Sequence, residues 1–257
     1  MKRIAASFML LAVVFVSLPD ARAGRVTRAA RAVIEKPTQK LFRFLARRKN
    51  GRVLHDRGDA YAGSLELAPG NPLGRAAGKV AVTVRMSRAT GQPQPKATPL
   101  GAAVRIPDGR GGADDLLMVS NGKGPVRRRL FWPSASFFGK TTYSSLLPFR
   151  LASRKQLIQL IPEDTAERPA QRTAGTDLGE LADAVERGAA SFTLLAEPLH
   201  GGGGATVIGR LVLEERMSDE ASRALRFNPW ANSTVRPAGF INKLIRRAAY
   251  RGSQAGR

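Results

Sequence analysis

Lys79-Val80-Ala81-Val82-Thr83-Val84-Arg85-Met86-Ser87 alternates without a break between two sets of side chains. Val80, Val82, Val84 and Met86 point one way and Ala81, Thr83, Arg85 and Ser87 the other, because successive side chains of a strand face opposite sides. This period of two predicts a strand with one apolar face, and it puts Arg85 and Ser87 together on the other. Outward from this stretch, residues 101–106, 115–119, 191–196 and 206–214 read as further strands, and residues 51–67 as a loop leading into one. Gly91-Gln92-Pro93, Pro107-Asp108-Gly109 and residues 201–204 supply turn signals between them. Several short strands punctuated in this way predict a β-barrel or sandwich.

The ends of the chain read differently. Val26, Ala29, Ala30, Val33 and Ile34, then Leu41, Phe42, Phe44 and Leu45, recur at helical spacing, and Pro37 predicts a split into two short amphipathic helices over residues 25–50. Arg and Lys fill the remaining positions, so this basic lead-in suits either packing against a core or lying on an anionic membrane surface. Residues 138–190 read as mostly helical, with Leu178, Leu181, Ala182 and Val185 on one face, and residues 219–226 and 239–250 as the last helices. The expected class is α+β, an antiparallel barrel with C-terminal helices and no internal repeat.

Composition narrows the chemistry. The 257 residues carry 42 Lys and Arg against 20 Asp and Glu, a formal charge of +22 spread along the chain. Such a surface is either merely solvated or turned toward an anionic partner. With no cysteine there is no disulfide, thiolate nucleophile, iron–sulfur cluster or thioether-linked haem. The two histidines, His55 and His200, are too few for a His-rich metal centre, and no Gly-x-Ser-x-Gly elbow is present. At the N-terminus, Lys2 and Arg3 precede an uncharged, mostly apolar run over residues 4–18 and a small-x-small site, Ala21-Arg22-Ala23. This predicts a signal peptide over residues 1–23 and export to a periplasm or beyond, with an uncleaved anchor as the other reading. Residues 24–50 would then be the basic lead-in and residues 51–257 the main domain. Export argues against chromosomal nucleic acid as the target of the positive charge.

Near the C-terminus Arg246 and Tyr250 stand four apart, so on a helix they share a face, with Ser253 and Arg257 following on the same side. A guanidinium beside a phenol favours the phenolate, a hard anion suited to ferric iron. By spacing alone the pair is equally what any basic surface helix would show. His55, in Arg52-Val53-Leu54-His55-Asp56-Arg57-Gly58, is the better of the two candidate general bases.

Taken together and in order, these segments resemble the haem catalase family, including its short peroxidase-like branch. Residues 52–58 resemble the distal-histidine motif, and Val82-Thr83-Val84-Arg85-Met86-Ser87 resembles the "VRFS" strand. Pro99-Leu100-Gly101-Ala102-Ala103-Val104-Arg105-Ile106 is similar to the strand that begins RGFA, Asp115-Leu116 to the "DL" pair, and Trp132-Pro133-Ser134 to "FPS". Gly209-Arg210-Leu211-Val212-Leu213, Phe227-Asn228-Pro229 and the run from Arg246 to Arg257 follow in the family order. The last resembles R-x-x-x-Y-x-x-T-x-x-x-R with Ser253 in place of Thr. The resemblance covers roughly residues 50–135 and 205–257.

It implies a minimal catalase-like barrel that binds haem b, with Tyr250 as axial ligand of the iron and Arg246 holding it as phenolate. It implies Arg52, Arg85 and Arg257 as partners of the propionates, His55 as the base assisted by Ser87, and Trp132 and Phe227 packed near the ring. The activity implied is reduction of hydrogen peroxide or of an organic or lipid hydroperoxide at the expense of an organic reductant, by a monomer or an oligomer. Two alternatives accompany it: a hydroperoxide isomerase of the allene oxide synthase type, and a basic catalase-fold protein with little turnover that binds an anionic surface. The departures from the pattern also carry expectations. Val119 stands where the family has an Asn, with Asn121 two residues on, and this points away from vigorous catalase turnover. Ala102 replaces the Phe of RGFA, which predicts a wider pocket for organic substrates.

Overall fold

A computed structural model describes residues 28–49, 55, 57–89, 98–121, 138, 141–163, 177–199, 204–239 and 246–256. The chain divides into two compact units, residues 54–237 and residues 1–53 with 238–257.

The larger unit is a barrel. Strands β1 (Arg57–Leu67), β2 (Gly78–Arg88), β3 (Leu100–Pro107) and β4 (Ala113–Ser120) form an antiparallel meander, continued by β5 (Tyr143–Ser144), β7 (Arg154–Pro162), β8 (Ser191–Pro198) and β9 (Thr206–Arg216). β9 returns to pair with β1, and β7 pairs with both β5 and β8. Among the described residues, eight strands therefore close on themselves, which removes the free edges of an open sheet. β6 (Phe149–Leu151) and β10 (Arg236–Pro237) extend from β7 outside the ring.

The alternation read from residues 79–87 is realised. Val82, Val84 and Met86 lie on the inner face with Tyr61, Leu65, Val104, Leu116, Met118, Phe192, Leu194 and Leu211, and form one buried core. Arg85 and Ser87 lie on the outer face. Burial of large apolar side chains is the dominant stabilising contribution here, about 1.5–3 kcal/mol for each. Helix α2 (Asp177–Glu186) adds Leu181 and Val185 to this core, and the short helix α3 (Asp219–Ala224) hydrogen-bonds to β1 through Ser222 Oγ and the Gly58 carbonyl.

Two adjacent carboxylates fasten the end of this unit to the barrel wall. Asp114, fully buried, accepts from the backbone N–H groups of Thr234 (2.9 Å) and Val235 (3.1 Å) and from Arg75 (2.6 Å). Asp115 accepts both arms of Arg105 at 2.8 Å and the backbone N–H of Asn228 at 2.5 Å.

The smaller unit pairs helix α1 (Arg28–Lys49) with helix α4 (Arg247–Ala255). A Cβ on Gly252 would collide with the Gln39 carbonyl, and one on Gly256 would stand 2.5 Å from the Arg43 carbonyl. With the fully buried Ala248, these glycines make a small-residue stripe at i, i+4, i+8 that lets the backbones approach closely.

Four expectations need correction. Pro37 does not divide residues 25–50: α1 runs through it as one helix. A proline removes a single backbone hydrogen bond, and the helix is lengthened on both sides by good helix formers such as Ala, Gln, Lys and Leu. Over residues 138–190 the described residues hold more strand than helix, since β5, β6 and β7 lie within 143–162 and α2 is the α-helix among them. In β7 both Leu157 and Ile158 are buried, so the strand lacks the one-sided alternation that marks a half-exposed strand. The last helix begins at Arg247 and continues to Ala255, beyond the 239–250 expected from the apolar pattern, because small Ala and Gly residues carry the packed face. The fourth correction, at Ala102, concerns the site.

Candidate functional site

A row of cross-strand partners, with the buried hydroxyls of Ser87 and Ser144 in it, crosses the outer face of the barrel. Gly58, Ser87, Gly101, Val119 and Ser144 are successive cross-strand partners on β1, β2, β3, β4 and β5. Directly opposed residues project on the same face, so these positions and their neighbours at i ± 2, Arg85 and Ala103 among them, share one wall. Ser87 and Arg85 are 4% and 5% exposed, unusual burial for a hydroxyl and a guanidinium facing outward.

His55 is seated against this row. Its Nδ1 lies 3.1 Å from Ser87 Oγ, and its backbone N–H donates to the Ala89 carbonyl at 3.2 Å. Its φ is +58°, the left-handed region that residues other than glycine seldom adopt. Such strain persists where the surroundings over-determine the conformation, and it clusters at functional positions. Gly101 is part of the seat: a Cβ there would stand 2.5 Å from Nδ1 of His55 and 2.9 Å from Ser87 Oγ.

Ser87 Oγ lies 3.1 Å from His55 Nδ1 and can donate to the Gly101 carbonyl at 3.4 Å, so one hydroxyl links the ring to the backbone of β3.

The same row corrects the expectation at Ala102. Ala102 pairs with Met86 and Met118, is 2% exposed and belongs to the interior core. A small residue there changes barrel packing rather than the wall beside His55; the residue facing that wall is Gly101. Val119 does lie in the row, beside Gly101 and Ser144. Asn121 follows one repeat farther along β4, where its backbone N–H donates to the Thr142 carbonyl at 3.2 Å.

Cations are concentrated at this end of β2. Arg85 donates to the Gly58 carbonyl at 3.5 Å. Arg88 is also buried, and burial, followed by the like charge of Arg57, lowers its pKa. Arg85 shares the outer wall with Ser87, whereas Arg88 falls on the opposite face with Met86, so of the two it is Arg85 that can offer its guanidinium to an anion on the wall beside His55.

In the smaller unit, α4 carries Arg246, Tyr250 and Ser253 at helical spacing, all half-buried. These residues lie on a face of the helix different from the Ala248–Gly252–Gly256 stripe packed on α1. Burial pulls the Arg246 guanidinium below its ordinary pKa, and attraction to the Tyr250 phenolate pulls it back up.

Phe227, 8% exposed, lies under the Arg105 guanidinium at 5.0 Å, and Arg105 in turn grips Asp115. The segment resembling "FNP" is thus bound directly to the segment resembling "DL" through the Asn228 N–H and Asp115. Arg52, Trp132 and Arg257 lie outside the described residues. Sequence reading alone did not single out Gly101, Arg88 or the small-residue stripe. The i, i+4, i+8 spacing of Ala248, Gly252 and Gly256 was the available signal for the last, whereas Gly101 depends on register.

Each unit by itself holds groups of kinds that a haem uses. In the smaller, Tyr250 stands four residues after Arg246 and is a donor type suited to ferric iron; in the larger, the buried Arg85 suits a carboxylate and His55 is seated against Gly101. Among the described residues no cluster of His, Asp and Glu suggests a different metal centre.

No family model and no curated protein matches the chain. Solved structures do. The chain is similar to catalase A from Saccharomyces cerevisiae at 12% identity, over 80% of this chain and 60% of that one, with a TM-score of 0.58. It is similar to a fungal catalase at 12% identity, over 80% and 59%, with a TM-score of 0.59. A bacterial catalase matches at 12% identity, over 84% and 62%, with a TM-score of 0.50. The chain thus spans about three-fifths of the length of the catalases it matches. At this identity the likeness concerns architecture, and the conclusion it supports is that the chain has a catalase-like fold built on an eight-stranded antiparallel barrel.

Proposed function

We propose that the protein is a haem-dependent peroxidase that reduces hydrogen peroxide or organic hydroperoxides, with Tyr250 as iron ligand and His55 as base. The observation that carries this reading is the seat of His55: a left-handed backbone, a Gly101 cradle and a Ser87 hydroxyl 3.1 Å from Nδ1 that together hold the ring in place. The catalase-like fold supports it independently.

Bound by Tyr250, haem would supply the electrons that cleave the peroxide O–O bond and recover them from an organic reductant. The chain's own residues would do the rest. Arg246 keeps Tyr250 deprotonated by placing a cation beside it. Arg85 offers a buried guanidinium to a propionate, in the role the resemblance also gives to Arg52 and Arg257. His55 takes the proton of the hydroperoxide on Nε2 and returns it to the departing oxygen, so that water or an alcohol leaves rather than its anion. Ser87 holds the imidazole in place for this.

Val119 favours a peroxidase over a catalase. A valine in the row beside Gly101 provides no amide donor to orient a second molecule of hydrogen peroxide, so turnover would depend on another reductant.

Reconstitution with haem tests the reading. The wild-type protein is expected to give a high-spin ferric tyrosinate absorption spectrum that Tyr250→Phe abolishes, and to react with hydrogen peroxide or a fatty-acid hydroperoxide. Identical spectra in the two proteins would overturn the assignment of Tyr250. Reaction of His55→Ala at the wild-type rate would overturn that of His55.

A further inference from the structure

We infer that the exposed stripe of α1 is a docking surface for an anionic lipid bilayer. Helix α1 divides sharply into two faces over residues 35–48. Glu35, Thr38, Gln39, Phe42, Leu45 and Ala46 lie on its half-buried to buried side, where α4 packs and Glu35 pairs with Arg251 at 3.9 Å. Lys36, Lys40, Arg43, Arg47 and Arg48 are exposed on the other side, with no acidic residue among them. Phe44 is set into that cationic stripe and is 59% exposed, the most exposed of the large hydrophobic residues described.

A single exposed ring is ordinary on a protein surface; what marks this one is its place among five exposed cations with no acidic residue between them. The combination matches one kind of surface. On a helix lying in a membrane interface, a ring enters the boundary between headgroups and acyl chains while the long basic side chains spread to lipid phosphates. No helix among the described residues is long and apolar enough to cross a membrane, so α1 would lie on the bilayer. Nucleic acid would satisfy the charge. Double-stranded nucleic acid, however, gives the ring no apolar medium to enter, and the stripe lacks the additional aromatics on which successive bases of a single strand stack.

The inference is independent of the haem reading and can be tested without haem. Because the chain has no cysteine, Phe44→Cys in the full-length protein accepts a single polarity-sensitive fluorophore. Vesicles of phosphatidylcholine containing phosphatidylglycerol are expected to shift its emission to the blue, whereas vesicles of phosphatidylcholine alone leave it unchanged. The shift should largely disappear at about 0.5 M salt, where charges are screened beyond a few ångströms. Adding Lys36→Glu, Lys40→Glu and Arg47→Glu should weaken binding at least about tenfold without altering thermal unfolding, because all three side chains are exposed. In unlabelled protein, Phe44→Ser should weaken binding while preserving its salt dependence. An equal shift on both vesicle types overturns the proposal, and so does the absence of any shift on anionic vesicles. A response to an oligonucleotide but not to lipid overturns it in favour of nucleic acid.

Discussion

Gly101 and His55 exclude each other's bulk: a Cβ on Gly101 would stand 2.5 Å from Nδ1 of the His55 ring. That distance is well inside van der Waals contact, and the neighbour it would displace is the candidate base itself. Gly101→Ala is therefore expected to unseat His55 while leaving α4 untouched. The haem-reconstituted variant should keep its ferric tyrosinate absorption and lose about 10²-fold in its rate with peroxide. Strain in a packed wall should also cost about 1–3 kcal/mol of stability, measurable in a denaturant titration. An unchanged peroxide rate would show that the cradle has no part in the chemistry.

Ser87 acts through His55, and its effect should show in a pH profile. Ser87→Ala removes the hydroxyl that stands 3.1 Å from Nδ1. The ring then loses a partner that fixes its orientation and tautomer. The peroxide rate is expected to fall by about tenfold to a hundredfold, and its pH dependence should move. Ser87→Thr restores a hydroxyl and should recover much of the loss. A filler of cavity space alone would give equal rates for the alanine and threonine variants at every pH.

The fold was legible where a strand buries a single face. The alternation of residues 79–87 gave β2 and set Arg85 and Ser87 on the wall opposite the core, as observed. β7 was missed because Leu157, Ile158, Leu160 and Ile161 fall at spacings that a helix would also use, and a strand buried on both faces shows no alternation to break the tie. The candidate site residues came from the order of motifs, and their mutual geometry could not be read from it. Only the pairing of Ser87 with Gly101 and of Met86 with Ala102 reveals which small residue faces His55. The order of motifs suggested Ala102, one residue off, and one residue in a strand reverses the face.

Val119 tests the distinction between peroxidase and catalase. It already occupies the row that contains Ser87 and Gly101, so Val119→Asn would put an amide on that wall without moving the backbone. Disproportionation of hydrogen peroxide without added reductant should rise by about tenfold, the worth of one hydrogen bond gained in the transition state. Oxygen evolution checks it. Oxygen evolution unchanged in Val119→Asn but lowered in Asn121→Leu would assign the position to residue 121 instead.

Acid should release the end of the barrel unit through Asp114. Burial raises its pKa, but donation from the Thr234 hydroxyl and backbone, the Val235 backbone and Arg75 outweighs that, and the carboxyl is held below its ordinary value. A depressed carboxyl contributes stability that is fully present above the unfolded pKa of about 3.9 and is lost as pH falls through the folded value. Wild type should therefore lose stability steeply below about pH 4. Asp114→Asn should be less stable at pH 7, by about 1–3 kcal/mol for charge-assisted bonds, with a flatter decline on acidification. Urea midpoints from neutral pH down through the acid limb measure both curves, and parallel curves would exclude Asp114 as a principal acid trigger.

The last prediction separates Tyr250 from the helix that carries it. Gly252 stands two residues beyond Tyr250, on the face of α4 packed against Gln39 and Phe42 of α1. Gly252→Val adds bulk where even a Cβ collides with a backbone carbonyl, which cannot swing aside as a side-chain tip can. The helices must separate, at a cost of about 1–3 kcal/mol, and the position of the phenol with them. Tyrosinate absorption should weaken or vanish even though Tyr250 and Arg246 are intact, while α1 and the barrel retain their helix and strand content by circular dichroism. Ala255→Val makes the control, since Ala255 is exposed on the same helix. Loss of the signal in Gly252→Val but not in Ala255→Val would assign the positioning of Tyr250 to the contact between α4 and α1. Retention in both would mean that Tyr250 is held by something other than this contact.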